Sequence, residues 1–209
     1  MATRIYLTRH GQTEWNLQKR MQGHKNSDLT SLGKEQAKAL GLRMKDVELN
    51  AIYTSSLPRA MQTAELIRGK NGIPVIPDDN LREIYLGCWE GMLFDEVEKK
   101  YPEQFDNFWN HPEKYVSVDG ESFNDLRIRV GKALLNIAKQ NSGKDVLVVA
   151  HGIVIKALYT YFRNQPIAEI AHSPYTHSAC LCEIVFNPPV WDVMKWNDTD
   201  HYKYIEETK

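Results

Sequence analysis

Five consecutive apolar residues, Val146-Leu147-Val148-Val149-Ala150, follow Lys144-Asp145 and run directly into His151-Gly152. A half-buried strand alternates apolar with polar side chains, whereas a run without alternation is apolar on both faces and needs cover on both. Residues 152–162 then read as a helix, and strand alternating with helix implies a largely parallel sheet. Short β-rich runs at 4–9, 51–54, 74–77, 178–186 and 190–196 join 145–150 to make six strands. Ligands of such sheets lie beyond the carboxyl ends of the strands, so chemistry is expected just after Leu7 and Ala150. Each place holds a His-Gly pair, His10-Gly11 and His151-Gly152.

Helical spacing recurs between the strands. Residues 30–44 place Ala37, Leu40 and Met44 on one face. Ser56-Leu57-Pro58 reads as an N-cap followed by a first-turn proline, with Ala60, Met61, Ala64 and Ile67 along the helix. Ser122, with Asp125 three residues on, opens a long helix through Phe123, Leu126, Val130, Leu134 and Ile137. No repeat and no Gly/Ser- or Pro-rich linker divides the 209 residues, which favours a single domain over 1–209. Residues 84–120 differ in character. Phe94, Val97, Tyr101, Phe105 and Phe108 form an apolar stripe interrupted at Pro102, predicting two short helices, and Trp89, Trp109, His111 and Tyr115 make this the most aromatic stretch. We read it as a cap across the strand ends, the alternative being a helical hairpin packed on the side of the core.

Composition removes several function classes. With 42% hydrophobic residues the chain is globular, and 26 Lys+Arg against 27 Asp+Glu leave a formal charge of −1. No global field recruits nucleic acid or an anionic membrane, so affinity for anions has to be local. Three cysteines, Cys88, Cys180 and Cys182, are too few and too odd for a disulfide framework and suit a reducing compartment. On a strand Cys180 and Cys182 share a face, where core packing is expected. The apolar stretch 5–7 is too short for a signal-peptide core, and no segment approaches the ~18 apolar residues of a membrane span. The expected location is cytoplasmic.

Local anion chemistry is present. In Thr8-Arg9-His10-Gly11 an imidazole at a strand end sits beside a guanidinium, able to attack phosphorus while the arginine binds phosphate oxygens. Ser55-Ser56-Leu57-Pro58-Arg59-Ala60 puts a second arginine in the first turn of a helix, whose free N–H groups already favour an anion. Glu83, after Leu81-Arg82, could overhang both.

These segments resemble the histidine phosphatase superfamily, which contains cofactor-dependent phosphoglycerate mutases, broad-specificity phosphatases and α-ribazole phosphatase. The resemblance runs through residues 7–16, Gln22-Gly23, Leu29-Thr30, Gly33, Gln36-Ala37, residues 53–64, Leu81-Arg82-Glu83, Gly87, Trp89-Glu90-Gly91, Gly120-Glu121-Ser122, residues 148–152 and Asn197-Asp198-Thr199. It implies a three-layer α/β/α sandwich with a six-stranded, mostly parallel sheet and one antiparallel strand. It also implies His10 as the phospho-accepting nucleophile, Arg9, Arg59 and His151 as the rest of the phosphate pocket, and Glu83 as proton donor. Asn16, Gln22 and Gly23 match positions that line phosphate or substrate. An asparagine that phosphatase relatives often carry near 175–178 is absent here, leaving the roles of Thr176 and His177 open. His24 falls where relatives often have an aromatic residue and would border the pocket.

The chemistry fits these residue types. Phosphoryl transfer is governed by positioning and charge stabilisation, which two arginines and a helix start can supply. No acidic metal-ligand pattern and no Walker-type loop is evident, so no metal and no cofactor is expected. His10 has to be neutral to attack, which flanking cations favour, and Glu83 has to hold a proton under the cover of Trp89, Phe105 or Phe108. In the second half-reaction its carboxylate would activate water. His24, His111, His172, His177 and His201 read as surface or packing histidines, with bordering the pocket as the alternative for His24; Arg127 and Arg129 read as solvated or ion-paired, and Lys99-Lys100 as an ordinary charged face. Mutases of the family carry an insertion with extra basic residues after the Glu83 position. From 94 to 120 this chain has only Lys99, Lys100, His111 and Lys114 among aromatics. The expected activity is therefore hydrolysis of a small phosphorylated metabolite. The alternatives are a phosphoglycerate mutase or a dedicated phosphatase for phosphoserine, phosphoglycerate, α-ribazole phosphate or a sugar bisphosphate.

Overall fold

Strands β1 (Thr3–Arg9), β2 (Leu49–Ser55), β3 (Val75–Asp78), β4 (Asp145–Ala150), β5 (Leu181–Asn187) and β6 (Val190–Asp198) form one sheet in the order β3-β2-β4-β1-β5-β6. The computed structural model describes residues 1–202. β1 to β4 run parallel, β5 pairs antiparallel with β1, and β6 pairs antiparallel with β5, so β5 alone runs against the other strands. The helices are α1 (Glu14–Leu17), α2 (Ser31–Arg43), α3 (Pro58–Arg68), α4 (Phe94–Lys100), α5 (Pro102–Asn110), α6 (Phe123–Gln140) and α7 (Gly152–Phe162).

The unbroken apolar run is the middle of the sandwich. Val146, Val148 and Ala150 join one buried cluster with Leu126, Leu134 and Leu158 of α6 and α7. Leu147 and Val149 join a second cluster with Leu40, Ala60 and Ala64 of α2 and α3. Successive strand side chains point to opposite faces, so β4 has to be apolar throughout to serve both layers. Burying each Val or Leu contributes about 1.5–3 kcal/mol. Cys180 and Cys182 are fully buried in the first cluster, as their spacing implied, and Cys88 is exposed.

Capping follows the sequence at α6 and departs from it at α3. Thr30 Oγ1 accepts the Gly33 N–H ahead of α2, and Ser122 Oγ accepts the Asp125 N–H ahead of α6. Ser56 does not cap α3. Pro58 occupies the first turn, the residue before a proline is held extended, and Leu57 takes the N-cap position with no side-chain bond of its own. The Ser56 hydroxyl instead donates to Asp79 and accepts from Arg82 Nε, while Asn26 Oδ1 takes the Arg59 N–H. The strand expected over 178–186 begins only at Leu181. Ala179 has a φ of 50°, and the Cys180 N–H donates to His177 O, a turn that also brings the Ala179 N–H onto Arg9 O.

The aromatic segment forms α4 and α5, divided at Pro102 as the sequence indicated. Trp89, Phe108, Tyr115 and Phe123 pack with ring centroids between 5.1 and 5.8 Å apart, tying the segment to the start of α6. Among the described residues no helix is long and apolar enough to cross a membrane.

Candidate active site

Parallel strands that end together bring their next residues together. Arg9 at the end of β1 is in register with Ala150 at the end of β4, so His10 and His151 follow side by side, their rings 5.2 Å apart edge to face. β2, the other neighbour of β4, ends at Ser55, and α3 starts three residues later with Arg59 in its first turn.

Arg59 is 1% exposed and divides its donors among three partners. Nη1 donates to Lys25 O and Nη2 to Gly23 O, both at 2.7 Å, and Nε donates to His10 Nε2 at 3.3 Å. Gly23 can present its carbonyl this way because φ is +53°, and a Cβ there would stand 2.2 Å from Glu90 Oε1. Burial lowers Arg59 to about 10, offset by Glu83 and reinforced by Arg9, which leaves it cationic near neutral pH.

The His10 tautomer follows from its partners. Nδ1 lies 2.8 Å from Gly11 O, and a carbonyl can only accept, so Nδ1 carries the hydrogen and Nε2 keeps a lone pair. Burial first, then Arg59 and Arg9, push the His10 imidazolium well below 6.5. His151 is lowered in the same direction by burial, Arg59, His10, Arg9 and His24. Both rings are neutral near pH 7.

Glu83 reaches the group from the far side. It follows the turn after β3, and its carboxylate accepts the Ile153 and Val154 N–H groups at 3.2 Å each, at the N-terminus of α7. Gly152 lies between: a Cβ there would be 3.6 Å from Arg9 Nε and 4.0 Å from Glu83 Oε2. The aromatic cover expected for Glu83 is placed differently, since Trp89 and Phe108 are buried against one another and Phe105 packs on Phe94 and Trp109. What meets the carboxylate is backbone: the first turn of α7 and the Ile84 N–H at 3.0 Å.

Arg9, His10, Arg59, Glu83 and His151 are thus brought together, with Gly23 supporting Arg59. Arg9 Nη1 donates to Thr176 O at 2.8 Å. Arg9 Nε, His151 Nδ1, Gln22 Oε1 and Thr176 Oγ1 are buried without a hydrogen-bond partner. Buried polar atoms are nearly always paired, so the unpartnered atoms of Arg9, His151 and Thr176 give this place the character of a polar-ligand site. Asn16 Oδ1 accepts from the N–H and hydroxyl of Thr13 in the capping box of α1. His24 borders the site, with Nε2 2.9 Å from Glu83 O. Beside it a cavity of about 420 Å³ is lined by His24, Tyr85, Glu121 and Arg129. Among the described residues no group of three or more His, Cys, Asp or Glu side chains is placed to hold a metal ion.

Sequence reasoning missed three contributors. Ser55 Oγ is 2.7 Å from His151 Nε2. Glu90, 7% exposed, accepts the His24 N–H and fixes the turn that carries Gly23. Asn26 caps α3 from another segment. The polar residues in the runs Ser55-Ser56 and Trp89-Glu90-Gly91 were the available signal.

A family model described as histidine phosphatase superfamily (branch 1) matches residues 5–199. Phosphoglycerate mutase-like protein 4 of Arabidopsis thaliana is 33% identical over 98% of this chain and 87% of its own. The metal-independent phosphoserine phosphatase of the same plant is 34% identical over 98% of this chain and 85% of its own. The solved structure of Bacillus stearothermophilus YhfR superposes with a TM-score of 0.93 at 41% identity, covering 95% of this chain and 98% of that one.

Proposed function

The chain belongs to the histidine phosphatase superfamily, branch 1, and is a phosphomonoesterase; from that premise we propose that it hydrolyses small phosphorylated metabolites without a metal, through a phosphohistidine at His10. We take residues 1–209 as one catalytic domain, with the segment at about 84–120 as its cap, acting in the cytoplasm.

His10 Nε2 attacks phosphorus while the bond to the leaving oxygen breaks, and that oxygen takes the proton of the Glu83 carboxyl group. Arg9, Arg59 and His151 stabilise the charge spread over the equatorial oxygens. Ser55 sets the His151 tautomer. With the serine hydroxyl donating to Nε2, the hydrogen of the neutral ring sits on Nδ1, which has no protein partner and is free to donate to a phosphoryl oxygen. In the second step the Glu83 carboxylate takes a proton from water, the water oxygen attacks phosphorus, and the N–P bond breaks to return neutral His10 and inorganic phosphate. Asn16 and Gln22 serve as outer contacts to the phosphoryl group or the substrate.

The observation that carries this reading is the neutral His10 imidazole with its lone pair on Nε2, next to two guanidinium groups and beside orphaned Arg9 Nε and His151 Nδ1. Metal independence draws further support from the plant relative described by that property. Hydrolysis is favoured over mutase action because Lys99, Lys100, His111 and Lys114 of the cap are all exposed, so no buried cation there retains a second phosphate. The test is hydrolysis of p-nitrophenyl phosphate in excess chelator. Activity should survive chelation and vanish in His10→Ala. Loss on chelation, or full activity in the variant, would overturn the mechanism.

A further inference from the structure

Glu83 lies outside the regular elements, between a turn at Asp79–Leu81 and another at Gly87–Trp89, so its backbone has no strand ladder to hold it. Carbonyl groups in such a segment need donors from elsewhere. One side chain supplies most of them. Arg129 Nη1 donates to Asn80 O at 2.8 Å and to Arg82 O at 3.0 Å, and Nη2 donates to Glu83 O at 3.3 Å. The opposite edge of the same guanidinium is gripped by Glu121, Nε to Oε1 at 2.8 Å and Nη2 to Oε2 at 2.6 Å. Glu121 is tied back in turn, its N–H donating to Tyr85 O at 2.7 Å and its Oε2 accepting the Tyr85 N–H at 3.3 Å.

We infer that Arg129, held by Glu121, is the positioning residue for the Glu83 carboxyl group. This rests on Glu83 being the proton donor. The carboxyl group is held at both ends: the Ile84, Ile153 and Val154 N–H groups hold the side-chain end, and at the backbone end His24 Nε2 reaches Glu83 O at 2.9 Å while Arg129 alone ties that carbonyl to those of Asn80 and Arg82. A planar guanidinium with five donors in fixed directions can meet three carbonyls and a carboxylate together, which the single ammonium of lysine cannot. α6 keeps its place without Arg129, because Leu126, Val130 and Leu134, on the neighbouring face of the helix, are fully buried. The role is therefore separable from folding.

Proton donation matters most when the leaving oxygen is a poor leaving group, and a displacement near 1 Å costs about 10²-fold in rate. Arg129→Met should lower kcat on an alkyl phosphate by about 10- to 100-fold and on p-nitrophenyl phosphate by under about threefold, with Arg129→Lys between that variant and wild type. Glu121→Gln, which loosens the guanidinium without removing it, should shift the alkyl-to-aryl ratio the same way by a smaller factor and reads the same effect if Arg129→Met folds poorly. A loss equal on both substrates, or no loss on either, overturns the positioning role. Glu83→Gln is run in parallel. If it also fails to discriminate alkyl from aryl leaving groups, the fault lies with the proton-donor reading; if Glu83→Gln discriminates and the Arg129 and Glu121 variants do not, it lies with the positioning inference.

Discussion

The two buried imidazoles make the stability of the protein fall in mild acid, by an amount bounded by their titration in the unfolded chain. His10 and His151 are both held well below 6.5 by burial and by the neighbouring arginines, whereas in the unfolded chain each titrates near 6.5. Below that pH the unfolded state binds two protons that the folded state refuses, so stability drops as pH falls. With an unfolded value near 6.5, the pair lowers stability by at most about 3 kcal/mol between pH 7.5 and 5.5, the full amount applying where both rings stay neutral in the folded state. That is a large share of the ~5–15 kcal/mol of a typical domain. The assay is urea unfolding at the two pH values in buffers free of phosphate and sulfate, comparing wild type with the double variant His10→Asn/His151→Asn. The variant should show a clearly smaller pH-dependent difference than wild type, by up to about 3 kcal/mol, whatever its absolute stability. His201, lowered by burial as well, is present in both proteins and cancels. An unchanged pH dependence in the variant would refute the reasoning, because it would mean the rings are charged in the folded state.

Three further outcomes follow from the site. Ser55→Ala removes the partner of His151 Nε2 and the acceptor of the Leu57 N–H, both buried, and should lower kcat about tenfold and cost about 1–3 kcal/mol in denaturant unfolding. Gly23→Ala places a Cβ 2.2 Å from Glu90 Oε1 at a φ of +53°, and should cost about 1–3 kcal/mol in denaturant unfolding and weaken inhibition by inorganic phosphate through Arg59. Arg59→Lys cannot serve Lys25 O, Gly23 O and His10 Nε2 together, and steady-state kinetics should show kcat/KM reduced by about 10² or more.

The sheet was legible because β4 from Val146 to Ala150 has no polar residue to offer either face, and that pattern admits few folds. Convergence of His10 and His151 was legible for a related reason: each follows a strand end, and neighbouring parallel strands stop together. Local rules failed where partners are distant. Ser56 looks like an N-cap until Asp79 and Arg82 compete for its hydroxyl, and β5 loses its first three expected residues to a turn that satisfies Arg9 O. The surroundings of Glu83 were misjudged because nearby aromatics in sequence pack into the core instead. Arg129 read as an ion-paired helix residue, which it is, but its other three acceptors lie more than forty positions away in sequence.

Rapid-quench trapping of the enzyme during turnover of a phosphomonoester, followed by peptide mass spectrometry, tests the covalent step most directly. The expected result is one added phosphoryl group on the peptide containing His10, bound to the ring, labile in acid and absent from His10→Ala. Turnover with no phosphorylated peptide at any quench time, or with the group on another residue, would contradict attack by His10.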